Sequence, residues 1–362
     1  MKNYMLITKL GSAEIRAMMH MSEDVKKCIT PLIEITRGRK LSSRRKKVPE
    51  EWYPFDRYMD QIKAIWKGHD VLFDLTSTDS LSNAIIEGLY NSTNGYQNWC
   101  DFIERLNADN TFSSIIPCIV LDGEDDHIED NLKLEVERLK NSHPVIAYRS
   151  SIDDEACYDD IPIVARALGS SSLLFIIDAE YVSQPSIYSF YDKIKKRIEN
   201  ITPLLPANTQ IVVSSTSFPN NISEIGGPIH DEFELCEIKL HEMLKDKNII
   251  YSDYGCINPQ RNDGVVMARG WIPRIDVPLE RSVFYYRQRR PSGTSAYNDT
   301  YKVVAANVVK DDDFPVSLRG NWGIEQIENC AKGANPSSQP NYWISVRMSI
   351  HVETQVRRIY NI

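Results

Sequence analysis

YMLITKLGSAEIRAMMHMSEDVKKCITPLIEIT, residues 4–36, is the stretch that decides the fold. It opens on a continuous apolar and β-branched run, passes through a segment with helical spacing of apolar residues, and returns to a second continuous run. Runs without polar alternation suit strands covered on both faces, as in a parallel sheet flanked by helices. Six further runs follow: VLFDL (71–75), IIPCIVLD (115–122), PVIAYRS (144–150), LLFIID (173–178), QIVVSS (210–215) and IIYSD (249–253). Helical patterns such as DRYMDQIKAIWKG and SIYSFYDKIKKRIEN separate them. Eight strand–helix units predict an α/β fold, a (β/α)8 TIM-barrel-like core over residues 1–254. An open doubly wound sheet shares this alternation, but ITKLGSAE holds one glycine and no G-x-G-x-x-G turn.

Residues 255–362 change in character. GWIPRIDVPLERSVFYYRQRRPSGTSAY reads as two extended segments, and NWGIEQIENCAKG and NYWISVRMSIHVETQVRRIYNI read as helices. The expectation is a C-terminal extension of extended segments and helices that caps the barrel, with one of the two helices closing the ring.

Composition narrows the function class. A net charge of −8 excludes a whole-surface nucleic-acid binder and leaves room for a local basic patch. No apolar run approaches the roughly 18 residues of a membrane span, and the N-terminus carries no signal-peptide pattern, so no membrane partner and a cytoplasmic location are expected. Seven scattered cysteines without C-x-x-C, and seven histidines without H-x-H or H-E-x-x-H, argue against a disulfide framework, a zinc ribbon and a histidine-built metal site.

The strand ends carry the chemistry. At or beside the C-terminal ends stand Lys9, Glu34, Asp74, Asp122, Arg149, Asp178, Ser214 with Ser215, and Asp253. Five of the eight ends are carboxylates, where 50 acidic residues in 362 predict about one. The opposite ends are uncharged, and barrel enzymes build their sites from the C-terminal ends. Each Asp or Ser taken singly is also an ordinary turn cap. Taken together, converging carboxylates need cations: either Mg²⁺ or Mn²⁺ held by Glu34, Asp74, Asp122 and Asp178, or the side chains of Lys9 and Arg149.

With Arg16, Arg37 and Arg149 gripping phosphate oxygens and Glu34, Asp178, Asp253 or His351 as acid or base, the set describes metal-assisted phosphodiester hydrolysis. A carboxylate pair flanking a sugar is the alternative on this fold, with Trp52, Trp99 and Trp271 as platforms. In the loop SSTSFPNNISEIGGPIHDEFEL, Gly226 and Gly227 precede a helix expected to begin near Asp231, either a phosphate cradle or plain punctuation.

The basic stretch TRGRKLSSRRKKVPEEW leaves the second run, and so the same mouth, as a lid, a polyanion-steering arm or a solvated loop. In the tail, Trp343, Val346 and Ile350 form a core stripe, with Arg347 and His351 on the adjoining face, where His351 is either an acid/base or a packed histidine. RSVFYYRQRR (281–290) suits stacking on a planar ligand or an edge strand guarded by cations.

The patterns Y-x-L-I-T-K-L-G-S-A-E-I-R-A and I-T-P-L-I-E-I, SSTSFP, YSDYG (251–255) and the terminal W-x-x-x-R-x-x-x-H of Trp343, Arg347 and His351 resemble the beta-protein family, which is named for a satellite-phage protein. The resemblance implies a bacterial or prophage-borne protein linked to phage exclusion and defence, with a barrel-like fold and no settled activity. It carries over Lys9, Glu14, Glu34, Asp253, Tyr254, Arg347 and His351. Relatives have two adjacent histidines near the C-terminus, whereas here Ile350 precedes His351.

The combined expectation is a top face that binds a phosphate-bearing ligand, nucleotide or nucleic acid, through Lys9, Arg16, Arg37, Arg149, Ser214, Ser215, Tyr254 and Arg347, and hydrolyses it with Mg²⁺ or Mn²⁺. The alternative is a non-catalytic sensor or regulatory subunit that holds a companion defence protein or a phage product through the same face. Oligomeric state is not legible in the sequence.

Overall fold

The computed structural model describes residues 1–38, 55–220, 229–260, 270–291 and 297–362. The basic loop beyond Gly38, Trp52 and the Gly226–Gly227 pair lie outside them.

Eight strands form one parallel sheet. They are β1 (Tyr4–Lys9), β2 (Ile29–Ile35), β3 (Asp70–Leu75), β4 (Ser114–Pro117), β5 (Val145–Ser151), β6 (Ser172–Tyr181), β7 (Gln210–Thr216) and, after a strand that joins another sheet, β9 (Ile250–Asp253). Their order is β4-β3-β2-β1-β9-β7-β6-β5. The two edges meet: Cys118 bridges Ala147 in parallel, and the Ile119 amide donates to the Ala147 carbonyl at 2.8 Å. The sheet is therefore a (β/α)8 barrel, closed on the β4–β5 side by a narrow seam.

Alternation along the strands divides side chains between two environments. Met5, Ile7, Leu32, Leu72, Ile116, Cys118, Ala147, Leu174, Ile176 and Val212 point inward and pack as the barrel core. The opposite set, including Leu6, Ile33, Phe73, Phe175 and Val213, packs against the surrounding helices. Both faces are dry, which explains the continuous rather than alternating runs.

Among the described residues the tail contains two strands and three α-helices. β10 (Arg274–Pro278) and β11 (Ser282–Arg287) pair antiparallel, as the two extended segments foretell. The third strand of that sheet is β8 (His230–Glu234), which comes from the connection after β7. This corrects the helix expected near Asp231: HDEFE pairs with β11 from Tyr286↔His230 to Ser282↔Glu234, and the helix begins only at Cys236. Cross-strand pairing overrides a weak local helical preference here.

One face of the sheet, through Ile275, Val277 and Phe284, shares a second core with helices Tyr297–Val308 and Trp322–Ala331. Helix Pro340–Tyr360 belongs to both bodies. Trp343, Val346 and Ile350 join that second core, while Met348, Val352 and Val356 pack on the barrel. It starts with Pro at the first position, where a missing N–H costs nothing, and stops at Asn361 in the left-handed region. Near its end Tyr360 donates to the Cys28 carbonyl at 2.7 Å, fastening the terminal helix beside the start of β2.

Candidate functional site

The upper layer of the barrel interior is charged. On β1, Lys9 follows Met5 and Ile7 on the inward face; on β2, Glu34 follows Leu32; on β3, Asp74 follows Leu72. On β5, Arg149 follows Ala147, and on β6, Asp178 follows Ile176. Each polar group continues an inward apolar stripe by one step of two residues. That is why groups far apart in sequence converge.

Arg149 is the centre of the cluster. Its Nη1 donates to Glu34 Oε2 at 3.1 Å and to Asp74 Oδ2 at 2.8 Å. Its Nε and Nη2 donate to Asp178 Oδ2 at 2.9 and 2.7 Å, and Nη2 also reaches the Tyr254 hydroxyl at 3.1 Å. Tyr254, next inward after Ile250 and Ser252, donates its own proton to the same Asp178 oxygen. Lys9 Nζ donates to Glu34 Oε1 at 2.7 Å. Every nitrogen of the guanidinium is thus bonded.

Electrostatics separates Glu34 from Asp74. Burial alone pushes Glu34 upward, but Arg149 and Lys9 together hold its pKa below the usual range. Asp74 is buried as deeply and shares only Arg149, so burial wins and its pKa is raised. Tyr254 is pushed well above the usual phenol value by burial and then by the Asp178 charge, so it remains a neutral donor.

Beside this cluster, Ser214 and Ser252 sit opposite one another on β7 and β9, and neither hydroxyl has a hydrogen-bond partner among the described residues. Ser215 is buried, one residue out of phase with Ser214.

The other expected site residues lie elsewhere. Asp253 and His351 are fully buried behind the barrel wall, not in the mouth, because Ile250, Ser252 and Tyr254 take the inward positions of that segment. There Asp253 accepts from Tyr4 Oη at 2.8 Å, Tyr251 Oη at 2.7 Å and the Gly255 amide at 2.8 Å, and pairs with His351 Nε2 at 2.8 Å. Burial opposes the charge of Asp253, yet His351 and the donors keep its pKa low. The group ties the terminal helix to β9.

Asp122 accepts from the Glu124 amide at 3.0 Å in a turn beyond β4, among the residues of a cleft with Thr76 and Asp79. Arg16 bonds Ser345 at 3.0 Å, and Arg37 donates to the Ser80 carbonyl at 2.7 Å. Glu14 and Arg347 line a cleft between the ends of β1, β7 and β9 and the terminal helix. Trp99 donates to the Cys118 carbonyl at 3.0 Å and is buried, so it offers no sugar platform.

The proposed metal ligands do not form an oxygen cage. Glu34, Asp74 and Asp178 turn their oxygens toward Arg149 and Lys9, and Asp122 serves its own turn. Among the described residues no group of three or more His, Cys, Asp or Glu side chains is placed to hold a metal ion.

Three features escaped the sequence reading. Glu180, two residues beyond Asp178, reaches solvent at the rim with φ of 49°, where the pairing of β6 with β7 shifts register. Crowding by the rim, then the Asp178 charge, raises its pKa. The i, i+2 spacing in IIDAEY was the available signal. Ser252, which pairs with Ser214, was a second. The third is the buried pair Arg274 and Asp276 on β10, which the alternation R-I-D-V places on one face without saying that the face is buried.

The Beta protein family matches residues 4–357, nearly the whole chain. The chain belongs to the beta protein family. Within it, Protein beta of Enterobacteria phage P4 is 24% identical over 360 residues, which span 98% of this chain and 93% of that protein. The family resemblance read from the motifs therefore holds. Among solved structures, a chitinase from Chromobacterium violaceum aligns with 96% of the chain and 98% of its own length at 9% identity and a TM-score of 0.32, too loose a likeness to carry chemistry. Within the described residues no helix is long and apolar enough to cross a membrane.

Proposed function

We propose that this beta family protein is a ligand-binding subunit of a phage exclusion or defence module, and that the top face of its barrel is the binding face. The observation that supports this reading is the saturation of Arg149: three carboxylates and a tyrosine occupy all its nitrogens. A catalytic carboxylate needs an open valence toward substrate, and here Glu34, Asp74 and Asp178 are spent on Arg149 and Lys9. What they provide is a rigid, pre-organised platform with polar groups around it. The ligand class retained from the sequence is phosphate-bearing, a nucleotide or nucleic acid, and the companion protein of the module carries any killing activity.

The test combines binding with turnover. The protein is incubated with ATP and with single-stranded DNA in the presence of Mg²⁺ or Mn²⁺, and thermal midpoint and products are followed together. Stabilisation without product is the expected result. Product formation that disappears in Glu34→Gln or Asp178→Asn would return the mouth to the hydrolase reading.

A further inference from the structure

We propose a phosphate-binding site on the rim of the top face, in the cleft between β10 and the terminal helix, whose ligand carries a flat or apolar portion beside its phosphate. The proposal rests on the reading of the top face as a binding face and assigns the ligand a place on it.

Arg274 and Arg347 are only 7% and 3% exposed, and both clamp one carboxylate, Asp276. Arg274 Nε donates to Asp276 Oδ1 at 2.5 Å and Arg347 Nη1 to Oδ2 at 2.9 Å. Two cations therefore share one anion, and Asp276 is kept ionised by them despite its burial. The donors are not used up: Arg274 Nη1, Arg274 Nη2 and Arg347 Nε have no hydrogen-bond partner among the described residues. Buried guanidinium N–H groups without acceptors are costly, and such groups are found where a ligand or ion completes them.

Both guanidiniums are held flat and in place. Arg274 lies over the Tyr285 ring with its Cζ 3.6 Å from the centroid, and Arg347 over the Phe218 ring at 3.5 Å. The stacked planes fix the direction of the unused N–H groups, a pre-organisation that a surface lysine lacks.

The same two arginines line a cleft of about 370 Å³ with Trp271, Ile272, Tyr301 and Trp343. That volume is in the range of small-molecule sites. A wall of aromatic and aliphatic groups beside paired guanidiniums suits a nucleobase or other planar group set beside a phosphate; the three unused donors are covered in the free protein, and a shift of the side chains over them brings the phosphate oxygens to them. Arg347 also lines the adjoining cleft with Gly11, Phe218 and Asn258, so the site opens toward the ends of β1, β7 and β9. The Arg149 guanidinium itself has no nitrogen left over.

The experiment is isothermal titration of the full chain with ATP and with inorganic tripolyphosphate. Wild type should bind both. Arg274→Gln and Arg347→Gln should each weaken both probes by about tenfold or more, because each removes charge-assisted donors. Trp271→Ala should weaken ATP and leave tripolyphosphate unchanged. Arg347→Lys, which keeps the charge next to Asp276 and loses the Nε donor, covers the case in which a glutamine variant fails to fold, and should also lose affinity. ATP binding unchanged in these arginine variants overturns the assignment and leaves the top-face reading standing. No binding of ATP, tripolyphosphate or single-stranded DNA by the folded wild type at millimolar concentration overturns both.

Discussion

Arg149, half-buried, and Arg274, buried, are both set among carboxylate and tyrosine partners, and they differ in what is left over. Arg149 has spent every nitrogen inside the barrel on Glu34, Asp74, Asp178 and Tyr254. Among the described residues Arg274 has spent only Nε, on Asp276. The first cluster is complete without a ligand; the second is not. A dense gathering of charge at a barrel mouth therefore identifies a site less well than the count of donors it leaves unused.

The comparison is broken most directly by removing its saturated member. Arg149→Ala leaves three buried carboxylates sharing Lys9, and should cost about 3–5 kcal/mol in urea unfolding. A loss below about 1 kcal/mol would mean that the cluster is loosely held. The next effect in size sits on the other side: Arg274→Gln should change stability by less than about 1 kcal/mol, since it removes unpaired buried donors along with one ion pair, while costing a tenfold or greater loss of ATP affinity.

The pH dependence sharpens the contrast within the mouth. Glu34 has a folded-state pKa below its unfolded value, so its stabilising share is complete above about pH 4.5 and is lost as pH falls through the folded value. Asp74 has a raised pKa, so its ionised form costs stability at neutral pH, and that cost fades as pH falls through the folded value toward about 3.9. Glu34→Gln should therefore lose about 1–2 kcal/mol at pH 7 and flatten the acid limb of the stability curve. Asp74→Asn should hold or slightly raise stability at pH 7. Equal losses in both variants would contradict the assignment of Lys9 to Glu34. The smallest effect belongs to Asp122→Asn, within about 0.5 kcal/mol, because its turn lies outside the cluster.

Much of this was readable in advance for a physical reason. A strand buried on both faces announces itself as a continuous apolar run, and the polar residue that ends such a run marks the mouth. Lys9, Glu34, Asp74, Arg149 and Asp178 were found in this way. The run does not say which face its last residue takes, and a step of one reverses it. Asp253 and Tyr254 are adjacent, yet one is sealed under the terminal helix and the other touches Arg149. The irregular pairing beyond Asp178 hid Glu180, since the β6 run continues past its last apolar residue.

The tail was harder. HDEFE acquires its strand state from a partner about 50 residues later in sequence, a non-local pairing that local pattern cannot carry. Helix Tyr297–Val308 was overlooked although Tyr301, Val304, Ala305 and Val308 recur at helical spacing. Arg347 was singled out, but the partner that gives it meaning, Arg274, lies on a strand whose polar face is buried, an arrangement that alternation alone reads as solvent-facing.

The central claim is that charge is self-satisfied in the mouth and receptive at the rim. It is tested most directly by thermal unfolding of Arg149→Ala and Arg274→Gln beside wild type, each with and without ATP. The account predicts a large drop for Arg149→Ala with the ATP-induced shift retained in whatever folds, and a near-wild-type midpoint for Arg274→Gln with that shift abolished. The reverse pattern, with stability lost at Arg274 and the ATP response lost at Arg149, would contradict it.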